Sequence, residues 1–251
     1  MNLVFRYTLL LVLLLTLGCY IEEDYNKPLD PKSFTLLPAT NTILADGSST
    51  ATIVLQIPGE SADTLSGVTF RTTAGIFVES GSKTYSTKAK KGDDQTLRIA
   101  SVTLQSSTKV EDAVVSVELF DNLRSETIQF TNATPENLII TPSTFSIKPS
   151  NTSSGEVSIE VLTTRSSGKP SIGNEVELKA YNNDFSKEIG SFRVYNNRTD
   201  TNGKANFIYV LGDSIANRSA ESYIGIVNIV GSILNPNGGK KEKTVQLISS
   251  R

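Results

Sequence analysis

The chain carries few of the residue types that do chemistry. It has one cysteine, Cys19, and neither histidine nor tryptophan. Without histidine the commonest general base and the commonest transition-metal ligand are missing. A Ser-His-Asp triad, a Cys-His pair and a His-based zinc site are therefore excluded by composition. Carboxylates remain, as the pairs Asp93-Asp94 and Glu111-Asp112 and as the oxygen set Asp200, Asn202 and Asp213. Calcium takes about six to eight oxygens, but Asp200-Thr201-Asn202-Gly203 has the composition of a turn. In such turns Asp and Asn bond their own backbone and Gly takes a positive φ. Glycoside hydrolysis needs two carboxyls at a set separation in a cleft, whereas the acids here fall on the polar positions of alternating segments. Tyr181, Tyr195, Tyr209 and Tyr223 are the material either for an aromatic surface or for core packing. Asn132 and Asn197 sit in Asn-X-Thr sequons. The expectation is a non-catalytic chain with no cofactor and no metal site.

Cys19 acquires meaning from what precedes it. Arg6 is followed by the apolar run Leu9 to Leu15, then Thr16-Leu17-Gly18-Cys19. A basic start, a short apolar stretch and a small residue before the cut describe a secretory signal peptide. A spanning helix needs about 20 apolar residues, and here Glu22-Glu23-Asp24 follow almost at once; a short uncleaved anchor is the alternative. Thr16-Leu17-Gly18-Cys19 resembles the lipobox of bacterial lipoproteins, with Thr16 where that family prefers Leu. The resemblance implies cleavage before Cys19, a diacylglyceryl thioether on its sulfur and acylation of its new amino group. Buried acyl chains, at about 0.8 kcal/mol per CH₂, would then hold the protein on a bilayer. A stray cysteine in an ordinary signal peptide is the other reading.

Tyr20-Ile21-Glu22-Glu23-Asp24 resembles the acidic signal that exports lipoproteins of Bacteroidota to the outer face of the outer membrane; a solvated acidic tether accounts for the same residues. The expected address is the outer membrane at the cell surface, with a periplasm-facing anchor as the alternative. Loss of residues 1–18 removes one charged residue, Arg6, and moves the net charge from −2 to −3. Lys88, Lys90 and Lys91 and the group Lys240, Lys241 and Lys243 read as exposed turn or edge lysines. There is no basic stripe, and no nucleic-acid partner is expected.

After the Pro28 and Pro31 tether, short apolar segments alternate with turns. Ala51, Ile53, Leu55 and Ile57 share one face at the period of a strand. Further strands are expected at Val68 to Thr72, Ile99 to Gln105, Val114 to Phe120 and Thr127 to Phe130. The pattern restarts at Leu138 to Pro142 and continues through Glu156 to Val161, Glu175 to Tyr181, Ala205 to Leu211, Tyr223 to Val230 and Lys243 to Ile248. No sustained helical stripe occurs outside the signal peptide; the best single turn is Ser214 to Ala220. Many short strands at even spacing predict an all-β chain of antiparallel sandwiches. The organisation read from this is a signal peptide at 1–18, a lipidated acidic tether at 19–32, and two sandwiches of about seven strands at 33–133 and 134–251.

Two stretches resemble bacterial Ig-like domains of the invasin/intimin type. One is Ala45-Asp46-Gly47-Ser48-Ser49-Thr50-Ala51-Thr52-Ile53, continued by Gly67-Val68-Thr69-Phe70 and Thr73-Ala74-Gly75. The other is the late hairpin Thr199-Asp200-Thr201-Asn202-Gly203-Lys204-Ala205. The resemblance implies two tandem Ig-like sandwiches in which these residues are turns and strand starts. It also implies a surface-anchored adhesion or scaffolding module of the cell envelope. The alternative is a glycan-binding accessory lipoprotein of a nutrient-uptake system. The membrane, reached through Cys19, is the one partner expected by name.

Overall fold

The computed structural model describes residues 34–58, 67–92, 97–119, 122–148, 155–212, 223–235 and 237–250. Cys19, the tether, Asp93-Asp94, Asp213 and the turn at Ser214 to Ala220 lie outside them. Among the described residues every regular element is a strand. In a first unit these are β1 (Thr35–Pro38), β2 (Thr42–Leu44), β3 (Thr50–Pro58), β4 (Val68–Thr72) and β5 (Ile76–Phe77), then β6 (Thr84–Thr87), β7 (Lys90–Lys91), β8 (Leu97–Gln105), β9 (Glu111–Leu119) and β10 (Asn122–Thr131). A second unit has β11 (Asn137–Pro142), β12 (Ser146–Ile147), β13 (Gly155–Thr164) and β14 (Glu177–Tyr181), then β15 (Ser191–Asn196), β16 (Lys204–Leu211), β17 (Gly225–Leu234) and β18 (Lys240–Ser249).

Each unit is two sheets face to face. The first pairs β1-β3-β8-β5, with β7 also on β8, against β2-β10-β9-β4-β6; the second pairs β11-β13-β16-β15 against β12-β18-β17-β14. The plan is the same twice. In both, a short early strand joins the last strand in parallel, β2 on β10 and β12 on β18, while every other pairing is antiparallel.

The alternation expected from the sequence is what fills the cores. Ala51, Ile53, Leu55 and Ile57 of β3 point inward and are buried, as are Val102 and Leu104 of β8. From the facing sheet come Phe70, Val115, Val117, Ile128 and Phe130. Phe70 and Phe77 meet edge-on with centroids 6.4 Å apart, a favoured aromatic geometry. The second core is separate and is built from Val157, Ile159 and Val161 of β13 with Phe207, Tyr209, Val227, Ile229 and Leu247. The short strands β1, β2, β5, β6, β7, β12 and the edge strand β15 were not expected; they extend the sheets beyond the strands read from periodicity. Glu175 lies just before β14 and forms only an isolated bridge with Arg198.

Between the two cores lies a polar seam. The loop that follows β13 turns back onto the end of the first unit. Its backbone amides at Lys169, Ser171 and Ile172 donate to the carbonyls of Asp46 (2.9 Å), Ala133 (3.0 Å) and Thr108 (2.8 Å). Ser171, wholly buried, does double duty: its hydroxyl donates to the Ala45 carbonyl and accepts from the Ala133 amide, both at 2.8 Å. Asn132 donates to the Asn174 side chain at 3.1 Å, and Arg165 reaches the Thr134 carbonyl. Buried polar groups are costly unless paired, and here each side of the seam supplies the other's partners.

Asp46 holds the first unit's half of that seam. It is 3% exposed, and its carboxylate accepts from the Ser48 and Ser49 amides at 2.8 and 2.6 Å and from both hydroxyls. Burial pushes its pKa up, but the Ser49 and Ser48 hydrogen bonds outweigh burial and hold it below the ordinary carboxylate value. The charged form is therefore the folded form. Its contribution is complete above the unfolded Asp pKa of about 3.9 and is lost as pH falls through the lower folded value. Asp46→Asn is expected to cost about 1–3 kcal/mol at neutral pH, with the gap from wild type closing in strong acid. Urea unfolding of both proteins from neutral pH down to about pH 2 checks this.

Candidate functional site

The residues singled out for chemistry mostly turn out to serve structure. Asp200 Oδ1 accepts from the amides of Asn202 (2.7 Å) and Lys204 (2.9 Å), which is turn chemistry. Among the described residues no three His, Cys, Asp or Glu side chains gather as metal ligands would. Glu111 is engaged by Lys109 Nζ at 3.0 Å and Ser107 Oγ at 2.9 Å, while Asp112 follows it on a strand whose successive side chains face opposite ways. Asn132 lies in the seam, and Asn197 donates to Glu175 at 3.2 Å. Lys90 and Lys91 form the short strand β7, and Lys240, Lys241 and Lys243 lie on β18.

Of the four tyrosines, the side chain of Tyr195 lies outside the described ones, and the other three do not share a surface. Tyr209 is fully buried, and its hydroxyl donates to the Ile189 carbonyl at 3.1 Å. Burial drives its pKa upward, so it stays a neutral phenol. Tyr223 packs against the second core and donates to the Ile226 carbonyl at 2.9 Å. Tyr181 alone of the three faces outward from its sheet, and its companion is a residue the sequence reading passed over, Phe185.

Phe185 sits in the loop between β14 and β15, which crosses from one sheet of the second unit to the other. Asn182 organises this loop: its amide donates to the Lys187 carbonyl (3.0 Å), its carbonyl accepts from the Phe185 amide (3.1 Å) and its side chain accepts from the Lys187 amide (3.1 Å). Asp184 takes both the amide and the hydroxyl of Ser186, at 3.2 and 2.7 Å. Beneath, the fully buried Asn228 donates to the carbonyls of Asn182 (2.8 Å) and Asn183 (3.2 Å) and accepts from Gln246 (3.0 Å). The Asn183 amide donates to the Tyr223 hydroxyl at 3.0 Å. So pinned, Phe185 adopts φ 60°, the one positive value at a non-glycine among the described residues. That conformation costs an L-residue about 1–2 kcal/mol. Its ring nevertheless stays 51% exposed, tilted 39° to Tyr181 with centroids 6.0 Å apart.

These two rings border a groove of about 410 Å³ on the outer face of the sheet made by β14, β17 and β18. Glu177, Lys179, Lys240 and Glu242 line it, with Ser232 and Thr244 between them. The charges are tied to one another: Lys240 to Glu177 at 3.0 Å, Lys179 to Glu177 at 3.8 Å and to Glu188 at 3.5 Å. The hydrogen bond from Lys240 is the main reason the Glu177 carboxyl lies below its ordinary pKa, and the charge of Glu188 is the main reason Lys179 lies above its own.

The repeated plan supplies an internal comparison. Gln129 pairs with Thr42 and Asp112 in the first unit as Ile248 pairs with Ser146 and Ile226 in the second. Carried across to the next strand, this register sets Thr73 opposite Tyr181. The first unit continues with the small residues Ala74 and Gly75, and a Cβ on Gly75 would come within 2.3 Å of the Gln105 carbonyl. The aromatic corner therefore belongs to the second unit alone. In the sequence its only trace is an aromatic residue inside the turn-rich run Asn182-Asn183-Asp184-Phe185-Ser186.

No protein-family model matches the chain, and no curated protein does. Solved structures do match. The Yersinia pseudotuberculosis adhesin InvE aligns over 87% of this chain and 60% of its own, with TM-score 0.52 and 18% identity. Invasin, a bacterial integrin-binding protein, aligns over 87% of this chain and 39% of its own, with TM-score 0.53 and 13% identity. The chain thus spans less than two thirds of either. At these identities the likeness is one of fold, and the fold shared is a tandem of Ig-like sandwiches.

Strain at an exposed ring gives a direct test. Phe185→Gly relieves the left-handed backbone while removing little buried surface. It is expected to raise stability by about 1 kcal/mol, read as a higher urea midpoint, whereas Phe185→Ala keeps the strain and shows no such gain.

Proposed function

We propose that the chain is a non-catalytic module displayed on the cell surface, working in adhesion or as a scaffold of the envelope. The observation that carries this reading is the Phe185 corner, an exposed aromatic held in a strained conformation by a buried hydrogen-bond platform. Strained residues that the surrounding structure over-determines cluster at functional sites. Exposed aromatics in fixed positions are the usual anchors of binding surfaces. The similarity of fold to an adhesin and to an integrin-binding protein supports the same reading. Cys19 would supply the attachment. A lipid on its sulfur, a tether over residues 19–32 and two sandwiches joined by a hydrogen-bonded seam would hold the Phe185 corner away from the membrane.

Growth of producing cells with labelled palmitate and protease treatment of intact cells test the anchor and its side of the membrane. Label is expected on the wild type and absent from Cys19→Ala. Protease is expected to remove the wild-type protein from whole cells. Label persisting in Cys19→Ala would overturn the anchor. Resistance to protease until the outer membrane is opened would place the protein in the periplasm and overturn surface display.

A further inference from the structure

We infer that the groove beside Tyr181 and Phe185 binds a neutral oligosaccharide; this rests on reading that corner as a contact surface. Size is the first argument. A groove of about 410 Å³ lies in the range of small-molecule sites. A protein partner would instead need about 800 Å² of matched surface and about 20–30 residues on each side, and nine residues line this groove.

Charge is the second argument. Glu177 and Glu242 line the trough with Lys179 and Lys240, and Glu188 joins Lys179 at its edge, so acids and bases are interspersed there and paired to one another, with no single-sign field. An anionic ligand would meet the two glutamates, and a cationic one would meet the two lysines. A polyol suits such a lining, because each hydroxyl both donates and accepts. The carboxylates accept, the ammonium groups donate, and the Ser232 and Thr244 hydroxyls do either. Glu177 and Lys240 are half-exposed and keep unshared lone pairs and protons for a ligand.

The rings supply what the polar groups cannot. A pyranose has a face of C–H bonds, and an aromatic ring presents a negative π face to such weakly positive hydrogens. The Asn182 and Asn228 hydrogen bonds hold the backbone that carries Phe185, so the loop needs little ordering on binding, and pre-organisation of this kind lowers the cost of association. The first unit lacks both rings at the equivalent corner, so it serves as the control within the same molecule.

The test uses the full chain in detergent solution, a printed array of neutral glycans, and maltotriose, cellotriose and laminaritriose in solution, with sialyllactose as the charged control. A neutral glycan is expected to bind saturably with Kd between about 10 μM and a few millimolar. Phe185→Gly, which relieves strain and keeps the fold, is expected to weaken it at least about tenfold, while Phe185→Tyr and Thr73→Ala keep it. Absence of saturable binding across the neutral panel overturns the inference, as does equal affinity in Phe185→Gly. Attachment of cells carrying each variant separates the two readings. If Phe185→Gly abolishes attachment while no sugar binds, the sugar proposal falls and the contact surface stands with a protein as its ligand. If attachment is unchanged as well, both fall.

Discussion

Ser171 makes the tandem one object. Its hydroxyl is shared between the Ala45 carbonyl and the Ala133 amide, and its own amide donates to the Ala133 carbonyl. None of these groups has water to turn to, since Ser171, Ala45 and Ala133 are buried. Removing one partner while the seam stays closed would leave a buried donor or acceptor unpaired, which is the expensive way to lose a hydrogen bond. Two sandwiches with separate cores need not hold a fixed angle. Here the backbone pairing across the Asp46 turn and the loop after β13 sets one.

With that frame in place, the two units specialise differently on one plan. Where the first has Asn41, Gln129 and Asp112 around its closing strands, the second has Phe145, Ile248 and Ile226. Phe145 and Ile248 are both 60% exposed. The second unit also carries the Tyr181 and Phe185 rings where the first has Thr73 and small residues. The outer sheet face of the second unit thus gathers exposed apolar and aromatic groups where the first unit has polar or small ones. Shared topology with divergent surface chemistry is the usual way one fold carries different tasks.

Much of the fold was legible because a strand with one buried face must alternate. Ile53, Leu55, Val157, Ile159 and Val161 announce their inward side through spacing alone. Strands of two or three residues, such as β5, β7 and β12, have no period to read, and they form because a longer neighbour offers a ladder. The seam was illegible for another reason. Asp46-Gly47-Ser48-Ser49 explains itself locally as a turn, and nothing in it reveals that the carbonyls of Ala45 and Asp46 face a loop well over a hundred residues away. Phe185 was missed because its importance lies in a backbone angle imposed by Asn182 and Asn228. Conversely, Tyr209 was visible as an aromatic residue, and its place two residues from the buried Phe207 and Leu211, facing Val227 and Ile229 of the other sheet, puts it in the core.

The parallel closing pair in each unit has a mechanical meaning. β2 lies alongside β10, and β12 alongside β18, with each short strand near the unit's entry and each long one at its exit. A pull applied along the tandem drags the early strand one way and the last strand the other. The bridging hydrogen bonds run across that direction, so they are loaded together in shear and cannot be peeled one by one. The Phe130 and Ile43 pairing, and the bond from the Ile248 amide to the Phe145 carbonyl, thus sit where tension enters and leaves. A stalk built this way yields by rupture of a whole patch, and below that threshold it transmits force from one end to the other with little extension.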